Sequence, residues 1–196
     1  MPTSHLLSGA PIDGVHFRPL TEHHDARGSF TEVYQDYWNE GINPVQWSVV
    51  KSKAGVFRGM HLHLRHDEYF HLVSGRCLLA LKDLRSGSPT NGTYSLYQLD
   101  SEDAHVIVFP VGLLHGWYSQ TDTVHLQAVS EAYADYHADD NWGVRWDAED
   151  LGIPWPFTRA TVSQRAQDFV SEAELREALI AYRSAVAHAG ATAATK

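Results

Sequence analysis

Between Val15 and Glu131, short runs rich in Val, Ile, Thr and aromatic residues alternate with breaks of Gly, Asp, Asn and Pro. Strand side chains alternate between two faces, so runs of this length bounded by turn residues read as strands of an all-β sandwich or barrel. The pattern predicts strands at 15–20, 29–35, 45–51, 69–73, 77–84, 94–99, 105–109 and 123–130. No repeat or low-complexity linker divides them, which predicts one domain over residues 15–160. Residues 1–14, with Pro2 and Pro11, read as an N-terminal arm without a core of its own. After Ser130 the chain turns aromatic and acidic, and Pro154 and Pro156 exclude a regular helix there. The sequence Ser171-Glu172-Ala173-Glu174 then forms a capping box ahead of Leu175, Ala178, Leu179 and Tyr182, apolar at helical spacing. This predicts one C-terminal amphipathic helix within 161–196, ending in a mobile tail from residue 187.

The stretch Gly55 to Gly75 concentrates the chemistry. It places His61, His63 and Glu68 in the order H-x-H-x4-E between the two glycines. On a strand, two histidines two apart share a face. A turn through Leu64 to Asp67 is expected to return the chain antiparallel and bring Glu68 beside them. Two imidazoles and a carboxylate suit a divalent first-row metal, and His115, after the Gly112 turn, supplies a fourth ligand. The expected cofactor is a transition metal such as Fe, Mn, Zn or Ni, with no organic cofactor.

Composition narrows the partners. The chain has 196 residues, 43% hydrophobic, with a formal net charge of −9 and no Lys/Arg cluster. That balance argues against nucleic acid or an anionic membrane surface as partner, so a phosphate-bearing ligand needs local arginines. The single Cys77 excludes an intramolecular disulfide. With no apolar run of membrane-spanning length and no leader-like N-terminus, the expected location is cytoplasmic.

The first stretch fits the first cupin motif, G-x5-H-x-H-x3-4-E-x6-G, at every fixed position. The segment through Pro110, Gly112 and His115 is similar to the second, with Ala104 and Ser119 in place of its outer Gly and Asn. The expected fold is therefore an all-β cupin jelly-roll barrel with one C-terminal helix. From Val15 to Pro156 the chain also resembles the dTDP-4-dehydrorhamnose 3,5-epimerase family of the same fold class. The resemblance is carried by Asp25-Ala26-Arg27-Gly28-Ser29-Phe30 with Glu32, Arg58-Gly59-Met60-His61, Asp83-Leu84-Arg85, His115-Gly116-Trp117, Tyr133 and the closing 143–156 stretch.

That resemblance implies an isomerase acting on a dTDP-4-keto-6-deoxy sugar and a homodimer. Arg27 and Arg58 are implied to hold the pyrophosphate, with Phe30, Glu32 and Arg85 also binding substrate. His61 is implied to be the proton-abstracting base and Tyr133 the acid on the opposite face. The chain departs from the family's pattern where His63 replaces a Gln, Glu68 a Lys, and Ala148 an Asp, with Asp147 one residue away. A histidine whose lone pair is given to a metal cannot also take a proton, so His61 is either base or ligand. The alternative reading is a metal-dependent Fe or Mn oxygenase of a small organic substrate, on the same four ligands.

Overall fold

The structure, a computed structural model, describes residues 6–136 and 140–193. Its strands are β1 (Leu6–Gly9), β2 (His16–Pro19), β3 (Glu22–Asp25), β4 (Gly28–Thr31), β5 (Gln46–Ser52), β6 (Phe57–Leu62), β7 (Glu68–Ser74), β8 (Arg76–Asp83), β9 (Tyr94–Asp100), β10 (His105–Phe109), β11 (Leu113–Ser119), β12 (Thr123–Val129) and β13 (Trp142–Gly143). The helices are α1 (Tyr133–Tyr136), α2 (Gln164–Gln167) and α3 (Glu172–Ala193). One sheet runs β1-β9-β8-β11-β6-β13 and the other β2-β10-β7-β12-β5, while β3 and β4 form a separate hairpin. The two sheets are antiparallel throughout and face each other as the expected jelly roll. No helix among the described residues is long and apolar enough to cross a membrane.

Alternation along the strands builds the layers. On β8, Cys77, Leu79 and Leu81 point between the sheets, where they join Phe70, Ile107, Phe109, Leu113 and Trp117. Leu78 and Ala80 point the other way, onto a second apolar layer with Leu151, Ile153, Leu175 and Leu179. That second layer is why β8 and β11 are apolar on both faces: the C-terminal segment and α3 cover the outside of the six-stranded sheet. A buried ion pair fastens the helix start, with Lys82 Nζ 2.5 Å from Glu172 Oε2.

One local expectation needs correction, and both terminal segments take regular structure. The chain from His63 to Glu68 does not fold β6 and β7 into a hairpin, because β6 pairs with β11 and β13 while β7 pairs with β10 and β12. The turn crosses between sheets, and Glu68 meets the histidines through the barrel interior. Within the N-terminal arm Leu6–Gly9 form an edge strand, with Leu6 opposite Tyr97, and Ile12 is fully buried in the core. The C-terminal tail is helical through Ala193, as its alanine-rich sequence favours. Residues 194–196 lie outside the described residues.

One irregularity positions the site. His115 pairs with His61 and Trp117 with Arg58, so β6 carries one residue more than β11 over this interval. The extra residue falls at Gly59–Met60, a bulge that lets Arg58 and His61, three apart, face the same interior. Only glycine fits there: at φ +132 a Cβ on Gly59 would sit 2.5 Å from the Gly116 Cα.

Candidate active site

A cavity of about 470 Å³ opens between the sheets, within the range of small-molecule sites. Inward-facing Gln46, Ser48 and Val50 of β5 form one wall, and Arg58, His61 and His63 the facing one. Glu68 and Gln127 lie on the five-stranded side, and the stretch through Ser163, Arg165 and Ala166 closes the cavity from the C-terminal segment.

His61 is half-buried on the cavity wall, edge-on to Phe169 with ring centroids 5.6 Å apart. Burial, and then the nearby His63, Arg165 and Arg58, push its pKa down to about 3. The ring is therefore neutral at neutral pH, with a lone pair available. Burial likewise holds His63 low and His115 well below the ordinary histidine value.

Deeper in the cavity, Glu68 Oε1 lies 3.4 Å from His66 Nε2, 3.6 Å from His63 Nε2 and 3.8 Å from His115 Nε2. Its other oxygen accepts from Gln127 Nε2 at 2.7 Å. Glu68 Oε1 and His115 Nε2 are buried with no hydrogen-bond partner among the described residues. The four metal ligands expected from sequence do not fall into one group. Ligand atoms of His61, His63 and His115 gather in one, and those of His63, His66 and Glu68 in another. The sequence separates these sets poorly, because His66 projects from the turn and not from a strand.

The remaining candidates are scattered. Arg58 lines the cavity, steadied by Ser52 Oγ at 2.9 Å and the Lys51 carbonyl at 3.2 Å. Tyr133 opens α1 with its side chain 50% exposed, and its backbone N–H donates to Gln46 Oε1 at 2.9 Å, which sets it at the rim. Arg27 and Phe30 lie on the exposed β3–β4 hairpin, where Arg27 pairs with Asp25 and neither lines this cavity. Glu32, just beyond the hairpin, accepts from Gln35. Arg85 is placed elsewhere: its guanidinium is spent on Asp83, the Asp13 carbonyl and Ser88. Asp147, the nearest replacement for the family's missing Asp, pairs with Arg145 at 3.0 Å. Sequence reasoning leaves His66 as a structural or supporting group and does not single out Arg165, Gln127 and Asp140. Of these only His66 carried a signal, its place inside the histidine motif.

The family model for dTDP-4-dehydrorhamnose 3,5-epimerase matches residues 9–174. The chain belongs to this family. It is similar to the spore coat polysaccharide biosynthesis protein SpsL of Bacillus subtilis, with 31% identity over 148 residues, 74% of this chain and 96% of SpsL. Among solved structures it resembles NovW, a 4-keto-6-deoxy sugar epimerase from the novobiocin gene cluster of Streptomyces spheroides. There the TM-score is 0.76 at 29% identity, over 89% of this chain and 92% of NovW. The dTDP-4-dehydrorhamnose 3,5-epimerase of Bacillus anthracis, solved with TDP and PPi bound, gives a TM-score of 0.74 at 26% identity, over 84% of this chain and 98% of that one. Membership of this epimerase family makes the chain an isomerase-class enzyme and disfavours the oxygenase alternative.

Proposed function

We propose that this enzyme epimerises or isomerises a dTDP-linked 4-keto-6-deoxy sugar, with His61 taking the proton alpha to the ketone. The observation that carries the reading is His61 itself: a neutral imidazole on the wall of the cavity, with Arg58 and Arg165 as neighbouring cations. The ketone acidifies its alpha protons, one group removes a proton, and another returns it from the opposite face. Tyr133, at the rim, is assigned the returning role. Guanidinium forks suit a diphosphate, which explains how a chain of net charge −9 holds an anionic nucleotide. Diphosphate binding also neutralises the two arginines, removing part of what holds the His61 pKa down and making it a stronger base once substrate is present.

The exposed β3–β4 hairpin supports the homodimer that the family resemblance implies. Arg27, Phe30 and Glu32 do not line the cavity of their own chain, so we assign them to nucleotide contacts across a subunit boundary. A buried Cys77 and a nucleotide-linked substrate agree with the expected cytoplasmic location. The test is incubation with dTDP-4-keto-6-deoxyglucose and analysis of product stereochemistry by NMR. Inversion at C3, at C5 or at both is expected, and unchanged substrate at high enzyme concentration would contradict the proposal.

A further inference from the structure

Besides the base, the cavity holds two overlapping groups of candidate metal ligands, one of His61, His63 and His115 and one of His63, His66 and Glu68. We infer that one divalent transition metal is held by His63, His66, Glu68 and His115, with His61 left outside the coordination sphere and available for proton transfer. Ligands about 2.0–2.2 Å from a tetrahedral ion stand roughly 3.4 Å from each other. Glu68 Oε1 stands 3.4, 3.6 and 3.8 Å from the Nε2 atoms of His66, His63 and His115, so it links the group of His63, His66 and Glu68 to His115, which otherwise groups with His61 and His63.

The outer atoms of these side chains are held as ligands require. His63 Nδ1 lies 2.6 Å from the Asp140 carbonyl oxygen and His115 Nδ1 3.2 Å from that of Leu113, which turns each Nε2 inward. The Asp140 carboxylate stands 3.5 Å from His66 Nδ1, and Gln127 holds the outer oxygen of Glu68. The Glu68 Oε1 and His115 Nε2 atoms, both buried and without hydrogen-bond partners among the described residues, remain at the centre. Buried polar atoms left without partners destabilise the fold unless something occupies the space between them.

His61 fits this set less well. It shares a group with His63 and His115, but no carboxylate joins that group, and its charged neighbours are Arg58 and Arg165. Two guanidinium groups repel a dication, whereas Glu68 neutralises half of its charge. Three imidazoles and one carboxylate accept zinc, iron, manganese or nickel. When bound, the metal supplies positive charge to the cavity wall. His61 is thereby freed from the conflict between ligand and base.

This inference rests on the epimerase reading only for what His61 does, and its test does not use turnover. Protein stripped with a chelator is titrated with zinc, and metal is counted by elemental analysis. One zinc per chain is expected in the wild type and in His61→Asn, with at least tenfold weaker binding in His66→Ala and Glu68→Gln. Retention by His66→Ala with loss from His61→Asn would overturn the assignment, as would a wild type that takes up neither zinc, manganese, iron nor nickel. Should His66→Ala fail to fold, Glu68→Gln, His61→Asn and the zinc dependence of His61 modification in the wild type decide the assignment. Diethylpyrocarbonate should modify His61 equally with and without zinc, and zinc protection of His61 would place it among the ligands.

Discussion

Nδ1 of His63 lies 2.6 Å from the carbonyl oxygen of Asp140, a residue 77 positions further along the chain. A carbonyl can only accept, so Nδ1 carries the hydrogen and the Nε2 lone pair faces Glu68. The side chain of the same Asp140 accepts the backbone N–H groups of Leu64 at 2.7 Å and Arg65 at 3.0 Å. One buried residue thus fixes both the ring and the turn that carries the chain from one sheet to the other.

Replacing Asp140 with Ala takes the acceptor from two part-buried amides and should lower stability by about 2 kcal/mol, at about 1 kcal/mol per amide, the low end of the cost of an unsatisfied group because neither is fully buried. Chemical denaturation measures the loss. A change under about 0.5 kcal/mol, the range of ordinary surface substitutions, would show that the turn is held by other contacts.

Two arginines of the family-like segments are expected to separate cleanly. Arg58→Ala should weaken dTDP binding by about 1.5–3 kcal/mol, the range for hydrogen bonds to charged groups, with little loss of stability. Arg85→Ala should do the reverse, because its guanidinium is engaged by Asp83 with contacts of 2.7 and 2.9 Å. Calorimetric titration with dTDP and thermal melting distinguish the two. Equal affinity losses in both variants would place Arg85 at the substrate.

The same Asp83 predicts an acid transition. Burial alone would raise its pKa, but hydrogen bonds from Arg85, Ser88 and Thr90 outweigh burial and hold it at about 2. A carboxyl whose folded pKa lies below its unfolded value of 3.8 stabilises the fold above that value. The contribution, about 2 kcal/mol, is lost as pH falls from near 4 through 2. Urea denaturation across this window should show the loss in the wild type and a flatter profile in Asp83→Asn. Parallel profiles would assign the acid sensitivity to other carboxylates.

Much of the fold was legible because most strands keep a clean period of two or a compact apolar run. Residues 105–109 coincide with β10, and the runs at 45–51 and 94–99 match β5 and β9 within one residue. The strand that carries His115 was hidden because Leu113–Ser119 is covered on both faces, which erases alternation. The Glu68 position was read as a hairpin neighbour of the histidines because local sequence does not reveal that the five-residue connection 63–67 changes sheets. At the site, the motif gave His61, His63, Glu68 and His115. The proposed exchange of His61 for His66 was not legible there, since it depends on where a side chain of the connection between the sheets points. Arg165 sits in a polar segment with no periodic signal, and only the fold brings it to His61.

The central claim is enolate chemistry at His61, and solvent exchange tests it most directly. An enolate exposes its alpha carbon, so incubating a dTDP-4-keto-6-deoxyhexose with the enzyme in deuterated water should place deuterium at C3, C5 or both. His61→Asn should abolish the exchange, and Tyr133→Phe should slow reprotonation while leaving exchange on one face. Absence of exchange in the wild type, or undiminished exchange in His61→Asn, would contradict the account.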